Sequence, residues 1–576
     1  MRPVALVLTV PKRLADILRN TPKMGETQRF LLLSIIIGIF AGLLVVCFHI
    51  SIEFLAWNAI HVPGSQGWGS VLLPALGAAI GSLLVIVFFR TARSSGVNYT
   101  KAALYVSDGY VPFSSVVGKF LASTVSIGSG NPMGPEDPAL QMGAGIASLL
   151  GRLFHLTREN MRMIAPIGAA AGIGAAFNTP ITAVLFVMEE VVASWNAGVL
   201  GSIVLSAVSA VVVSRWYLGN EPLFRVPAFS IEHPTELLVY ALIGVVGGVL
   251  SAWFTRYTTR LRGHVIGLPQ YYRYILPAAA GLLAGIVGYW FPGVLGAGYG
   301  TIDSAMHDQF PWHALLIFGG FKVLIVALCF SAGVPGGMFA PALFIGAMVG
   351  GGFGGLTTAY SPLPTSSVGS YVLVGMGTFF AGCIRAPMTS VFMVFEVSAN
   401  YVIILPAMIA NTIAYLISRS MQHDSLFHTV GQQDGLDLPS VEEQREAPML
   451  TVEDAMSSDS SKILQARTSA TEALKKMDAA GMQQALVAAD WGQWSWVDRK
   501  DLVKAIEAGQ GDEAVDQAVM ARAVIRLYPD LSLDSAMRLL GPYPILPVSS
   551  RANANRLLGT LTLQDVHRAY GLTKPA

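Results

Sequence analysis

Glu136 sits in GPEDP (residues 134–138) with apolar sequence on both sides. A carboxyl group in such a place can take up and release a proton. Holding it at mid-membrane costs about 2.5–3.5 kcal/mol on insertion scales, so it is rarely idle. A second acidic position, Glu189-Glu190, ends the apolar run AFNTPITAVLFVMEE. Three turns near these acids suit an anion. Ser94-Ser95-Gly96, Gly134-Pro135-Glu136 and Gly336-Gly337-Met338-Phe339 each lead into an apolar, helix-like stretch. A helix N-terminus offers unsatisfied N–H groups and about half a positive charge. Glycine lets that backbone approach an ion without side-chain obstruction.

These turns belong to a sequence written twice. Residues 118–144 realign on 321–347 at an offset of 322 − 119 = 203. Lys119 meets Lys322, Gly130 meets Gly333, Gly134 meets Gly337, and Pro138-Ala139-Leu140 meets Pro341-Ala342-Leu343. A second block from Gly168 matches one from Gly375, with Pro180 on Pro387 and Glu189 on Glu396, at 387 − 180 = 207. Such small slack is ordinary loop drift. Repeated apolar segments place a substrate site near the midplane, between two related halves. Ile127–Pro138 and Ser331–Pro341 are both broken by Gly and Pro. Non-helical backbone at membrane depth is tolerated only where protein or a wet cavity satisfies it. The matching breaks therefore point to the site.

The chain has 576 residues, 53% apolar and 13% charged, far greasier than a soluble enzyme. Runs such as Phe30–Ile50, Val71–Phe89, Leu237–Trp253 and Leu315–Phe330 approach the roughly 20 residues of a spanning helix. The chain reads as a transporter in a lipid bilayer rather than an enzyme. A net charge of +1 shows no nucleic-acid face. Cys47, Cys329 and Cys383 have no paired spacing and read as small core residues, with no metal site. Arg13, Arg19, Lys23 and Arg29 precede the first run, which predicts a cytoplasmic N-terminus. A soluble tail on the same side then requires an even number of crossings.

SSGVN (94–98), GPEDP (134–138), GGMFAP (336–341) and the AFNTPITAVLFVMEE segment, in this order and spacing, resemble the CLC family of chloride channels and chloride/proton antiporters. The resemblance covers about residues 30–430. It implies an all-α polytopic membrane protein of inverted repeats with broken helices, the repeats at about 30–220 and 235–430. Residues 1–29 precede it. It implies a homodimer with one pore per subunit, exchanging chloride for protons. Low charge and a compact architecture point to a bacterial plasma membrane, with the organelles of a eukaryote as the alternative. By this resemblance the Ser95 hydroxyl and the N–H groups around Gly337, Met338 and Phe339 hold the anion. Glu136 competes with the anion when ionised, swings away when protonated, and carries the proton. Glu190 is the inner proton station. The plain alternatives are an N-cap for Ser95, a helix first-turn acid for Glu136 and an interfacial charge for Glu190. The alternative functions are a passive chloride channel and, further off, a fluoride exporter. A sensor whose membrane part merely anchors it fits the intramembrane acids poorly.

The chain departs from the family at three places. Pro135 and Asp137 flank Glu136 where a basic residue and glycine are usual, and Asp137 is expected to repel the gating charge. Phe427, in Asp424-Ser425-Leu426-Phe427, stands where a tyrosine hydroxyl usually faces the anion. Lys119 and Lys322 either raise the potential along the path or make structural contacts.

Residues 431–446 read as a polar linker, and 447–576 as an α/β tail of two similar units. Each unit runs strand, helix, strand, strand, helix, and the two resemble a tandem pair of CBS domains. The resemblance implies an adenosine-nucleotide site in the cleft of such a pair, a hydroxyl reaching phosphate and an Asp reaching ribose. Thr562 and Asp565 match in the second unit and Asp501 in the first, where Asp498 replaces the hydroxyl. A carboxylate facing phosphate is repulsive, so an empty regulatory or dimer-stabilising cleft stands beside the nucleotide reading. No other cofactor is expected.

Overall fold

In the computed structural model one set of eight helices is laid down twice. It describes residues 25–570, except 62–68, 194–196, 221–222, 225, 227–232, 361–365, 437, 439–449, 459–461, 489–493, 520–521, 542 and 553–555. The basic residues at 13, 19 and 23 and most of the linker lie outside the described residues. The first set is α1 (Glu26–His61), α2 (Ser70–Leu83), α3 (Gly96–Tyr105), α4 (Phe113–Gly128), α5 (Glu136–Leu153), α6 (Arg158–Phe177), α7 (Pro180–Phe186) and α8 (Ala197–Leu218). The second is α9 (Glu236–Gly267), α10 (Tyr272–Trp290), α11 (Tyr299–Met306), α12 (Trp312–Ala332), α13 (Phe339–Tyr360), α14 (Val368–Ile384), α15 (Pro387–Ser398) and α16 (Ile404–Met421). A short helix α17 (Leu426–Gln433) follows. Among the described residues seven helical stretches are long and apolar enough to cross a membrane.

The packing repeats as the sequence does. α1 lies on α8 as α9 lies on α16, and α5 lies on α6 as α13 lies on α14. Small residues set the last two contacts. A Cβ at Gly143 would strike the Gly168 carbonyl, and one at Gly346 would strike that of Gly375. Without a hydrophobic force between helices in lipid, this close approach is what holds them. α13 is almost wholly enclosed, whereas α1, α8 and α9 turn Phe54, Trp216 and Trp253 outward. Apolar outer faces are what lipid demands. Cys329 and Cys383 are buried, but Cys47 lies on an exposed face and is not a core residue.

The halves are joined by reciprocal caps. Glu189, in the π-helical turn after α7 (Val187–Val192), accepts from the Met388 N–H (3.3 Å) and from the Thr389 N–H (2.9 Å) and hydroxyl (2.8 Å). Glu396 of α15 returns the arrangement, accepting from Ile181 N–H (3.0 Å) and from Thr182 N–H and hydroxyl (both 2.8 Å). Each acid thus satisfies the orphan donors of the other half's helix. Hydrogen bonds to a charged group are worth about 1.5–3 kcal/mol each, so Glu189→Ala is expected to cost roughly 2–4 kcal/mol. Thermal unfolding in detergent checks this. Glu396→Ala should cost less, because Glu396 is only partly buried whereas Glu189 is 1% exposed.

Residues 445–576 form a separate compact unit. Its elements are α18 (Val452–Ala455), β1 (Ile463–Gln465), α19 (Ala470–Ala479), β2 (Gln484–Ala488), β3 (Trp494–Asp498), α20 (Arg499–Glu507), α21 (Val515–Ala518), β4 (Arg522–Ala523), α22 (Leu533–Leu540), β5 (Ile545–Ser549), β6 (Leu557–Thr562) and α23 (Leu563–Ala569). β1 pairs parallel to β2, and β2–β3, β3–β4 and β5–β6 pair antiparallel. The opening segments are exchanged relative to their order in the chain. Val452 and Ala455 of α18 pack into the core of the second module with Leu527, Leu533 and Leu561. Val515 and Val519 pack into the first, with Leu464, Val487 and Val497.

Candidate functional site

Both predicted breaks are present. α4 stops at Gly128 and α5 starts at Glu136; α12 stops at Ala332 and α13 starts at Phe339. The two unwound segments meet and pair, Gly134 N–H to Gly337 O at 2.9 Å and Gly337 N–H to Gly134 O at 2.7 Å. A two-residue antiparallel bridge thus ties the halves where the sequence places matching glycines. It also corrects one expectation: the Gly337 N–H is spent on Gly134 and is no anion donor.

The donors of α13 lie just beyond. The first helical bond there is Ala342 N–H to Met338 O (3.0 Å), and Pro341 has no N–H. The orphan donors of this turn are therefore Met338, Phe339 and Ala340. Ala340 N–H donates to Glu136 Oε2 at 3.3 Å. Glu136 is fully buried, and its Oε1 has no hydrogen-bond partner among the described residues. A Cβ at Gly134 would collide with this carboxylate, which explains glycine there. Glu136 is the first residue of α5, with Pro135 just outside. Its dipole favours an acid, yet the side chain reaches across to the other repeat. The first-turn reading is therefore incomplete.

Phe339 is ringed by aromatics, with centroids at 5.0 Å to Phe186, 5.6 Å to Phe380, 5.8 Å to Phe427 and 6.3 Å to Phe177. Phe427 is 1% exposed and brings no hydroxyl to this cage. Asn98 Nδ2 donates to its carbonyl at 2.8 Å, fixing α17 against α3.

Ser95 precedes α3 but does not cap it. Its hydroxyl donates to Asp137 Oδ1 at 2.8 Å; Val97 N–H donates to the same oxygen at 3.1 Å and Gly96 N–H to Oδ2 at 2.8 Å. Asp137 remains a like charge beside Glu136, as expected, but its side chain turns away from it. One acid turns to α13 and its neighbour turns to α3, because successive helix positions point in different directions. A Cβ at Gly96 would strike the Asp137 carbonyl, so glycine is what lets the two helices touch.

Glu190 is buried and pairs with Lys101 Nζ of α3 at 2.5 Å. The sequence reading missed Lys101, although a lone lysine in VNYTKAALY needs a partner in an apolar setting. Lys119 and Lys322 make carbonyl contacts. Lys119 Nζ donates to Ser94 O (2.7 Å) and Ala92 O (3.4 Å), and Lys322 Nζ to Val294 O (2.8 Å) and Gly296 O (2.7 Å). Each pins the turn ahead of a short helix, α3 in the first half and α11 in the second. Lys119 also lines a cavity of about 90 Å³ with Arg93, Ser95, Arg262 and Arg273. Four cations around one small cavity draw anions toward Ser95. Their convergence had no signal in the sequence.

In the C-terminal unit, Thr562 and Asp565 are spent on each other. The Thr562 hydroxyl and N–H donate to Asp565 Oδ2 (2.6 and 3.0 Å), and Asp565 N–H donates back to the hydroxyl (3.3 Å). This is a capping box at the start of α23. Asp498 is a simple N-cap of α20, accepting from Lys500 N–H at 2.9 Å. Asp501 lies 3.7 Å from Arg522 Nη2. The phosphate and ribose contacts expected of Thr562 and Asp565 would have to break the cap.

The comparisons with known proteins agree with this geometry. The sequence profile described as "voltage gated chloride channel" matches residues 76–419. The H(+)/Cl(−) exchange transporter ClcA of Cronobacter sakazakii is 28% identical over 73% of this chain and 92% of that protein. Among solved structures, a slow cyanobacterial Cl−/H+ antiporter superposes with a TM-score of 0.64 at 22% identity, over 73% of this chain and 100% of that one. A eukaryotic CLC transporter superposes with a TM-score of 0.60 at 20% identity, over 93% of this chain and 98% of that one. Likeness at such identities establishes the fold. A profile match over more than half the chain, on an integral membrane protein with these paired broken helices, places it in a family: the chain belongs to the voltage-gated chloride channel, or CLC, family.

Proposed function

We propose that the protein exchanges chloride for protons, with Glu136 as the group that alternates between the two. The observation that carries this is the Glu136 carboxylate on the Ala340 N–H, at a helix N-terminus where an anion would be bound. Ionised, it occupies donors that chloride needs. Protonated, it has no charge to hold it there, and the Met338, Phe339 and Ala340 N–H groups become available to the anion. Binding the anion and binding the proton are thus linked at one place. The similarity to an exchanger named for protons and chloride, over 92% of its length, supports the same reading. Liposomes carrying the protein test it: a chloride gradient should drive protons uphill.

The Lys101–Glu190 pair favours a second reading, the passive chloride channel, because a paired acid is withheld from proton traffic. Chloride flux with no proton movement would select it, and fluoride flux in the same vesicles would identify an exporter of that anion. The homodimer belongs to the proposal as the resemblance implies it, the bacterial plasma membrane as low charge and a compact architecture suggest it, and the cytoplasmic termini as the basic residues ahead of the first span imply them.

Residues 447–576 are proposed as a tandem CBS pair. Two modules of like element order support this, as does a CLC transporter whose likeness extends over 93% of the chain. The mutual Thr562–Asp565 cap favours the empty-cleft alternative. Titrating the full chain with ATP in a calorimeter should give no binding heat; a saturable heat that Asp565→Ala removes would restore the nucleotide role.

A further inference from the structure

Asp137 is the group that neither the repeat nor the exchange reading uses. It is 2% exposed and engages three donors at the start of α3: the Ser95 hydroxyl, the Gly96 N–H and the Val97 N–H, at 2.8–3.1 Å. A carboxylate on three donors at a helix N-terminus is a bound anion that happens to be tethered. A second observation gives it meaning. Ser95 also lines the cavity whose walls carry Arg93, Lys119, Arg262 and Arg273. A cation-lined approach thus leads to donors already filled by the protein's own negative charge.

We infer that Asp137 is an inner gate, a tethered stand-in for the transported anion that chloride must displace from Ser95, Gly96 and Val97. The inference rests on the exchange reading and deepens it. Displacement is balanced by one proton. Chloride takes the three donors, Asp137 leaves them, and a proton joins its freed carboxylate oxygen, so no covalent bond other than that O–H changes and the charge at the donors stays at minus one. The groups acting on Asp137 are few. Glu136 beside it repels it. Lys119 of α4 attracts it, and Lys119 also feels Asp434, which follows α17 and pairs with Arg262 at 2.6 Å. Lys101 of α3 is committed to Glu190, and the one titratable side chain of α13 is Tyr360, at its far end. Glu136 and Asp137 are consecutive residues on opposite donor sets, so a chloride passing from one set to the other meets two acids in series.

Chloride calorimetry on the full-length protein in detergent tests this, using Glu136→Gln as the background so that only one competing acid remains. That variant should bind chloride more tightly as the pH falls, with proton uptake seen as a dependence of the heat on buffer. Adding Asp137→Asn, which keeps the size but not the charge, should make binding pH-independent. Adding Asp137→Gly should tighten it about tenfold or more at alkaline pH, the effect of removing a tethered competitor. The inference is overturned if Glu136→Gln alone binds chloride without pH dependence or proton uptake, or if Asp137→Asn leaves that dependence intact. Loss of chloride binding in both Asp137 variants, each eluting as a folded species, would also overturn it by making Asp137 a structural cap. Failure of the exchange reading is a separate result, seen as chloride flux without protons in liposomes of the unsubstituted protein.

Discussion

Glu136→Gln abolishes chloride-driven proton movement and leaves chloride flux in place; that is the largest functional change expected of any single substitution. Glutamine keeps the shape of the side chain and can still accept from the Ala340 N–H, now 3.3 Å from Oε2. It cannot take or release a proton and carries no charge to compete with chloride. The carboxylate is fully buried, with one oxygen unpartnered among the described residues. An acid kept so at a cost of about 2.5–3.5 kcal/mol is retained for its chemistry. Proton uptake by chloride-loaded liposomes should fall to the leak of empty vesicles. An unchanged exchange ratio would remove Glu136 from the scheme and leave the Gly134–Gly337 bridge as mere architecture.

The second large effect is on the Lys101–Glu190 pair. Both side chains are buried and 2.5 Å apart, so removing one charge strands the other. Breaking a buried pair in this way costs about 3–5 kcal/mol, whereas replacing both members often costs little. Lys101→Met and Glu190→Gln should therefore each lower the unfolding temperature in detergent, and the double variant should recover most of the loss. Proton coupling separates role from stability. With Glu190 as the inner proton station, Glu190→Gln stops proton movement and spares chloride, while Lys101→Met frees Glu190 from its counter-ion and raises coupled proton flux. Equal coupling in all three variants would make the pair a structural strut.

The repeat, the two breaks and the intramembrane acid were legible in the chain. Helix-length apolar runs and the Gly-Pro interruptions are local features, and a fixed offset between two copies needs only counting. Glu136 stood out because an acid is costly in an apolar run wherever the run folds. The tail's element order was equally local. Its pairing was not: α18 and α21 each join the module that their position in the chain does not suggest, because Val452 and Val515 find their apolar partners there.

What the amino-acid order determined was therefore where helices begin and stop, and which carboxylates would have to be accommodated in lipid. Only the tertiary structure decided whom they meet. Glu189 and Glu396 are one repeated position in the chain, yet each caps the opposite half, across 200 and 214 residues. Glu136 and Asp137 are neighbours, yet one closes on α13 and the other on α3, 204 residues and about 40 residues away. The reason is physical. Propensity and periodicity act over one or two turns, whereas a buried charge settles with whatever donors the assembled fold brings within 3 Å.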